Sequence, residues 1–277
     1  MGQASATAAP RQPVDVFNGG GRGRIVLACD HASNFIPADY GTLGLEAAEL
    51  ERHIAWDPGA LPVARRMAEL LDAPMVASCI SRLVIDCNRP VDAPDLIPET
   101  SETTKIPGNA DLDAAERRRR IAVAHQPFHA AIDALLDRRE RAGLESWLVS
   151  VHSFTPVYKG MPRPWEIGII HDEDERLAAP FIERLRAVPG LTVGVNEPYS
   201  PADRVYYTLE RHARARGLPC AMIEIRNDEV NDERKQRKWA KMLSGILSGL
   251  VVAGDQAAIA GTRTTGRDVS TKMGTLT

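Results

Sequence analysis

Short runs that are apolar at nearly every position recur along this 277-residue chain, separated by longer stretches with helical periodicity. The runs fall at 24–29, 75–79, 82–87, 147–151, 166–170, 191–195 and 220–225. A strand that is apolar throughout has both faces covered, so such strands belong in a sheet enclosed by two helical layers. Helices are expected over 58–72, 111–142, 174–187, 203–216 and 230–252. This alternation predicts an α/β fold, a three-layer sandwich around a mixed, largely parallel sheet. In the stretch 111–142, Ile121, His125, Phe128, Ile132 and Leu135 recur at steps of four and three, which buries one helix face. Pro127 inside that stretch predicts a kink or a division into two helices. Asp57-Pro58 reads as an N-cap followed by proline at the first helical position.

Residues 1–22, rich in Ala, Gly, Pro and Gln, read as a flexible arm, and the polar residues 253–277 as a flexible tail. A single folded domain over 23–252 remains. The connection 90–110 carries four prolines and is long enough to be a lid or a binding loop.

The formal charge is −3, with 34 basic and 37 acidic residues interspersed, which excludes nucleic acid as the main partner. The run Arg117 to Arg120 sits among Asp111, Asp113 and Glu116 and reads as a solvated helix face. Four cysteines, none in a Cys-x-x-Cys spacing, lie in or beside apolar runs, as expected of reduced thiols. No run approaches the ~20 apolar residues that span a bilayer, and no signal peptide is visible. A cytoplasmic protein without a membrane partner is expected.

The polar residues with chemical potential share one placement. His31, Asn88, Arg89, His152 and Arg226 all follow strand candidates, and Glu224 ends one. Ligands of open α/β sheets collect outside the carboxyl ends of the strands, so these residues predict one site. Two strand-end imidazoles suit a borderline cation such as zinc, which in catalytic sites takes three protein ligands and a water. Either histidine would also serve to cap a turn. The third ligand is one of Asp57, His53 and Glu51; Asp57 is favoured, with His53 orienting a neighbour. Glu224, in an apolar strand, is either a proton acceptor or half of a buried ion pair with an arginine. Arg82, Asn88 and Arg89, gathered in Ser81-Arg82-Leu83-Val84-Ile85-Asp86-Cys87-Asn88-Arg89-Pro90, suit a carboxylate, because the guanidinium fork grips it through two parallel hydrogen bonds. His125 and His129 read as packing histidines. No phosphate loop, serine elbow or His-Glu-x-x-His is present in the sequence.

These residues carry a resemblance. Asp30-His31-Ala32-Ser33-Asn34, His53-Ile54-Ala55-Trp56-Asp57, the 81–90 segment, Pro127-Phe128-His129, Val151-His152-Ser153-Phe154 and Ile223-Glu224-Ile225-Arg226 occur in an order that resembles the N-formylglutamate amidohydrolase family, relatives of zinc carboxypeptidases and aspartoacylases. The resemblance implies one Zn2+ on His31, Asp57 and His152, with Glu224 as the base. It implies that Arg82, Asn88, Arg89 and Arg226 hold an acidic amide substrate, most simply N-formyl-L-glutamate. His53, His129 and Asn34 are expected in or just behind the pocket. Asn34 stands where the carboxypeptidase pattern has a ligating glutamate, so the carboxylate ligand has to come from elsewhere. The alternatives are an amidase of the same fold acting on another N-acyl amino acid or peptide, and a non-catalytic protein that binds acidic metabolites.

Overall fold

Seven strands form the sheet: β1 (Val14–Phe17), β2 (Ile25–Cys29), β3 (Met75–Ser78), β4 (Trp147–Phe154), β5 (Ile167–Ile170), β6 (Val193–Val195) and β7 (Cys220–Arg226). The structure, a computed structural model, describes residues 12–265, and only the backbone at 255 and 257–265. The strand order is β1-β3-β2-β4-β7-β5-β6. The central β3, β2, β4 and β7 run parallel; β1 pairs antiparallel with β3, and β5 antiparallel with β7. The mixed, largely parallel three-layer fold is therefore as expected.

The principal helices are α1 (Ala60–Leu70), α2 (Ala114–Arg120), α3 (Gln126–Arg141), α4 (Glu175–Arg186), α5 (Tyr207–His212) and α6 (Glu233–Thr265). Helices α1, α4 and α6 cover one face of the sheet, packing on Leu27, Val149, Val151, Ile223 and Ile225. Helices α3 and α5 cover the other, over Val26, Ala28, Leu148 and Met222. Neighbouring residues of each strand divide between the two clusters, as the pleat requires.

Four expectations need correction. The run 82–87 is not a strand. Its chain is turned by side chains: Leu83 N–H donates to Ser81 Oγ at 3.2 Å, and Asn88 N–H to Asp86 Oδ1 at 2.8 Å. Such local bonds replace a ladder, while Leu83, Val84 and Ile85 bury themselves in a third apolar cluster beneath the loop. The expected arm over 1–22 contains the edge strand β1; residues 1–11 lie outside the described residues. The last helix runs past 252 to Thr265, and 266–277 lie outside the described residues. Finally, Arg120 is not on a solvated face. It is buried and donates to Glu116, Asn109 and the carbonyls of Val84 and Gly108. The stretch 111–142 does divide, through a π turn at Ile121–His125 just before Pro127.

Candidate active site

The carboxyl ends of β2, β4 and β7 lie side by side at one edge of the sheet. Period-two alternation puts Asp30, one residue past β2, on the same face as Val26 and Ala28. It does the same for His152 on β4 and Glu224 on β7, which are register partners. Three polar groups thus leave one face of an otherwise apolar sheet at one end.

The loop from β2 to α1 supplies a fourth. Asp57 N–H donates to His31 O at 2.9 Å, which fixes the loop against the strand end. Asp57 is not the helix N-cap expected from Asp57-Pro58. Gly59, at φ +84°, turns the chain and α1 begins at Ala60. A Cβ at Gly59 would meet Val230 at 2.5 Å, so only glycine serves there. The turn frees the Asp57 carboxylate to face His152 Nδ1 at 2.9 Å and His31 Nδ1 at 3.4 Å.

The outer nitrogen of each imidazole meets a further buried carboxylate. His31 Nε2 lies 2.7 Å from Asp86 Oδ1. His152 Nε2 lies 3.1 Å from Asp30 Oδ2, and Thr208 holds the other Asp30 oxygen. A carboxylate behind a histidine fixes the tautomer and aims the remaining nitrogen inward. His31, Asp57 and His152 thereby bring one ligand atom each within 4.8 Å of one another.

The charge balance fits a cation. Burial opposes ionisation of Asp30 and Asp57, yet the facing imidazoles, with Arg82 beside Asp57, hold both below the ordinary carboxylate range. Burial also disfavours a charged His31 or His152, but Asp86 and Asp57 at the first, and Asp30 and Asp57 at the second, outweigh it and raise both. The carboxylates that favour protonation of these imidazoles would equally favour a cation bound in place of the protons. Glu224 Oε2 is buried without a hydrogen-bond partner among the described residues. Two imidazoles and a carboxylate fit zinc or a similar ion. Burial, then the charge of Asp57, pushes the Glu224 carboxyl up to about 7, which suits a group that takes and returns a proton.

These groups floor a cavity of about 290 Å³ walled by Arg89, Thr100, Glu102, Tyr158 and Tyr199 among others. Of the expected residues, His31, His53, Asp57, Arg82, Asn88, Arg89, His152 and Glu224 all line it. The 90–110 connection contributes to its wall, as a binding loop should. Glu51 is exposed and excluded as a ligand. His53 donates through Nε2 to Ser153 O at 2.6 Å, and burial lowers its pKa to about 3.

Three of the expected residues do not line the cavity. Asn34 donates to Leu50 O at 3.1 Å and braces the loop. His129 packs behind the 81–90 segment, donating to Cys87 O at 2.9 Å and facing His212. Arg226 points away, spent on Asp228 at 2.8 Å, Glu229 and the carbonyls of 163–165. Asn88 lines the cavity, but its amide already bonds Val205 O and Thr208 N–H. Asp30, Asp86, Tyr158, Arg163 and Tyr199 are additions. Asp30 adjoins His31 in sequence, and Asp86 lies two residues before Asn88.

A crystal structure of a gene product from Agrobacterium tumefaciens is 44% identical, covers 90% of this chain and 98% of its own, and superimposes with a TM-score of 0.87. The N-formylglutamate amidohydrolase from Ralstonia eutropha is 21% identical over 85% of this chain and 96% of its own, with a TM-score of 0.62, and shares the fold. No curated protein matches. The N-formylglutamate amidohydrolase family pattern covers residues 23–230. The chain belongs to the N-formylglutamate amidohydrolase family.

Proposed function

We propose that this protein is a metal-dependent amidohydrolase that cleaves N-formyl-L-glutamate to formate and L-glutamate. The observation that carries the reading is the buried triangle of His31, Asp57 and His152, with Glu224 in register beside it. Family membership supports an amide substrate.

His31, Asp57 and His152 would hold one divalent ion, zinc by ligand type. Such an ion, when bound, polarises the formyl carbonyl and lowers the pKa of water. The chain's own residues do the rest. Asp86 and Asp30 keep the two imidazoles aimed inward. Glu224 accepts the proton of the attacking water and delivers it to the departing amine nitrogen. Arg82, 3.0 Å from Asp57, places positive charge where an oxyanion develops. Arg89, whose Nε is 3.0 Å from Asp95, stands at the wall to receive a substrate carboxylate.

Formate release from a panel of N-formyl, N-acetyl and N-succinyl amino acids, with and without a chelator, tests this reading. Chelator-sensitive turnover with N-formyl-L-glutamate at the head of the panel is expected. No release from any member, in protein that carries metal, would overturn it.

A further inference from the structure

Three arginines are buried among the described residues: Arg120, Arg139 and Arg163. A buried guanidinium is costly unless its donors are satisfied. Arg120 has a carboxylate, an amide oxygen and two carbonyls. Arg139 has three carbonyls and a hydroxyl. Arg163, only 8% exposed, has one side-chain hydrogen bond, from Nη1 to the Tyr199 hydroxyl at 3.1 Å.

Its other neighbours are rings. The guanidinium carbon lies 4.6 Å from the Tyr158 ring centre, 4.7 Å from that of Tyr199 and 5.7 Å from that of Phe154. Ring faces attract a cation without neutralising it. No carboxylate lies within 4.0 Å of Arg163 among the described residues. The arginines in or next to the cavity wall differ. Arg82 has Asp57 at 3.0 Å, Arg89 has Asp95 at 3.0 Å, and Arg204 has Asp95 at 3.3 Å. Arg163 is thus the cation here whose counter-ion the protein does not provide.

Tyr158 and Tyr199 line the cavity, and Arg163 stands behind them. Because the Tyr199 oxygen accepts from Arg163, its own O–H is left to donate. No acceptor for it is found among the described residues. The Arg163 main chain is fixed, its N–H donating to Pro156 O at 2.8 Å, so the guanidinium is held at the base of the 157–162 hairpin.

We propose that Tyr199 and Arg163 together form a receptor for a second carboxylate of the substrate. The Tyr199 hydroxyl makes the contact and the Arg163 guanidinium supplies the uncompensated charge. This deepens the functional reading above and rests on it: the preferred substrate is a dicarboxylate, with Arg89 at one end and the Arg163–Tyr199 pair at the other. Arg163 acts as a positioning residue, through Tyr199.

The test is a ratio. kcat/KM is measured for N-formyl-L-glutamate and for N-formyl-L-glutamine, which lacks the second charge, in the wild type, Arg163→Met, Arg163→Lys and Tyr199→Phe. A charge-assisted bond corresponds to about 10- to 100-fold. The glutamate-over-glutamine ratio is expected to fall by about that factor in Arg163→Met and Tyr199→Phe. Arg163→Lys, which keeps a cation, should recover part of it. A ratio unchanged in Arg163→Met and Tyr199→Phe, whatever happens to overall activity, would overturn the receptor. Should the wild type release formate from neither substrate, the functional reading fails separately. Calorimetry with glutarate and butyrate then reads the receptor directly. Preference for glutarate in the wild type, lost in Arg163→Met and partly kept in Arg163→Lys, supports it; equal affinity for the two acids in the wild type, or a full preference kept in Arg163→Met, overturns it.

Discussion

Glu224 and His152 are register partners on adjacent parallel strands, so their side chains leave the same face of the sheet at the same height. That pairing places the carboxyl proposed to carry the proton beside one imidazole of the His31, Asp57 and His152 triangle, with no loop between them. A group held by two ladders cannot drift, which is what proton transfer in a small site requires.

Glu224→Gln keeps the shape and removes the base. It should retain bound metal while kcat falls by about 10²- to 10⁴-fold. Metal content and formate release are measured on the same preparation. Full turnover with metal in place would remove Glu224 from the proton path.

Burial also gives Glu224 a stability signature. Its folded pKa, about 7, lies above the unfolded value of 4.5, so the native state binds the extra proton between those values. In chelator-treated protein, the carboxyl costs little stability below pH 4.5 and most above pH 7. Glu224→Gln should therefore raise Tm relative to wild type more at pH 8 than at pH 5. A mutant-minus-wild-type difference that does not change between those pH values would show that burial does not shift this group.

Asp86 and Asp30 act through the histidines they face. Asp86→Asn or Asp30→Asn should weaken metal affinity by about 10- to 100-fold with all three ligands intact. Competition with a coloured chelator reads the affinity. Wild-type affinity in both variants would leave these carboxylates with a packing role only.

Gly59 sets the direction of Asp57. Gly59→Ala meets both a left-handed backbone and the Val230 side chain, and should destabilise the fold by more than about 1 kcal/mol in chemical denaturation. Because Asp57 is two residues away, metal affinity should fall with it. A variant as stable as wild type would mean that α1 can begin elsewhere.

Much of this was legible beforehand, for identifiable reasons. Continuous apolar runs marked β2, β3, β4, β5, β6 and β7, because a strand covered on both faces leaves no polar positions. The same signal failed at 82–87, where Leu83, Val84 and Ile85 are buried under a loop whose hydrogen bonds come from Ser81 and Asp86 side chains. Periodicity reports burial, and burial does not need a ladder. The four residues of edge strand β1 carry no such signal, because none of them is fully buried and they sit within a Gly- and Pro-rich segment. At the site, strand-end placement was enough to gather His31, His152 and Glu224. It could not tell which arginines already had partners. Arg226 is spent on Asp228, whereas Arg163, in an unremarkable hairpin, lacks a carboxylate among the described residues. Nor could adjacency in sequence show that Asp30, next to His31, serves His152 instead.

Metal binding by the triangle of His31, Asp57 and His152 is the step on which the proposed chemistry rests. Zinc titration of chelator-stripped protein, followed by calorimetry, in wild type and in Asp57→Asn tests it most directly. One ion per wild-type chain is expected, with formate release returning in step with occupancy, and a marked loss of affinity in Asp57→Asn. Full formate release from protein without any bound metal, or equal zinc affinity in the two proteins, would contradict it.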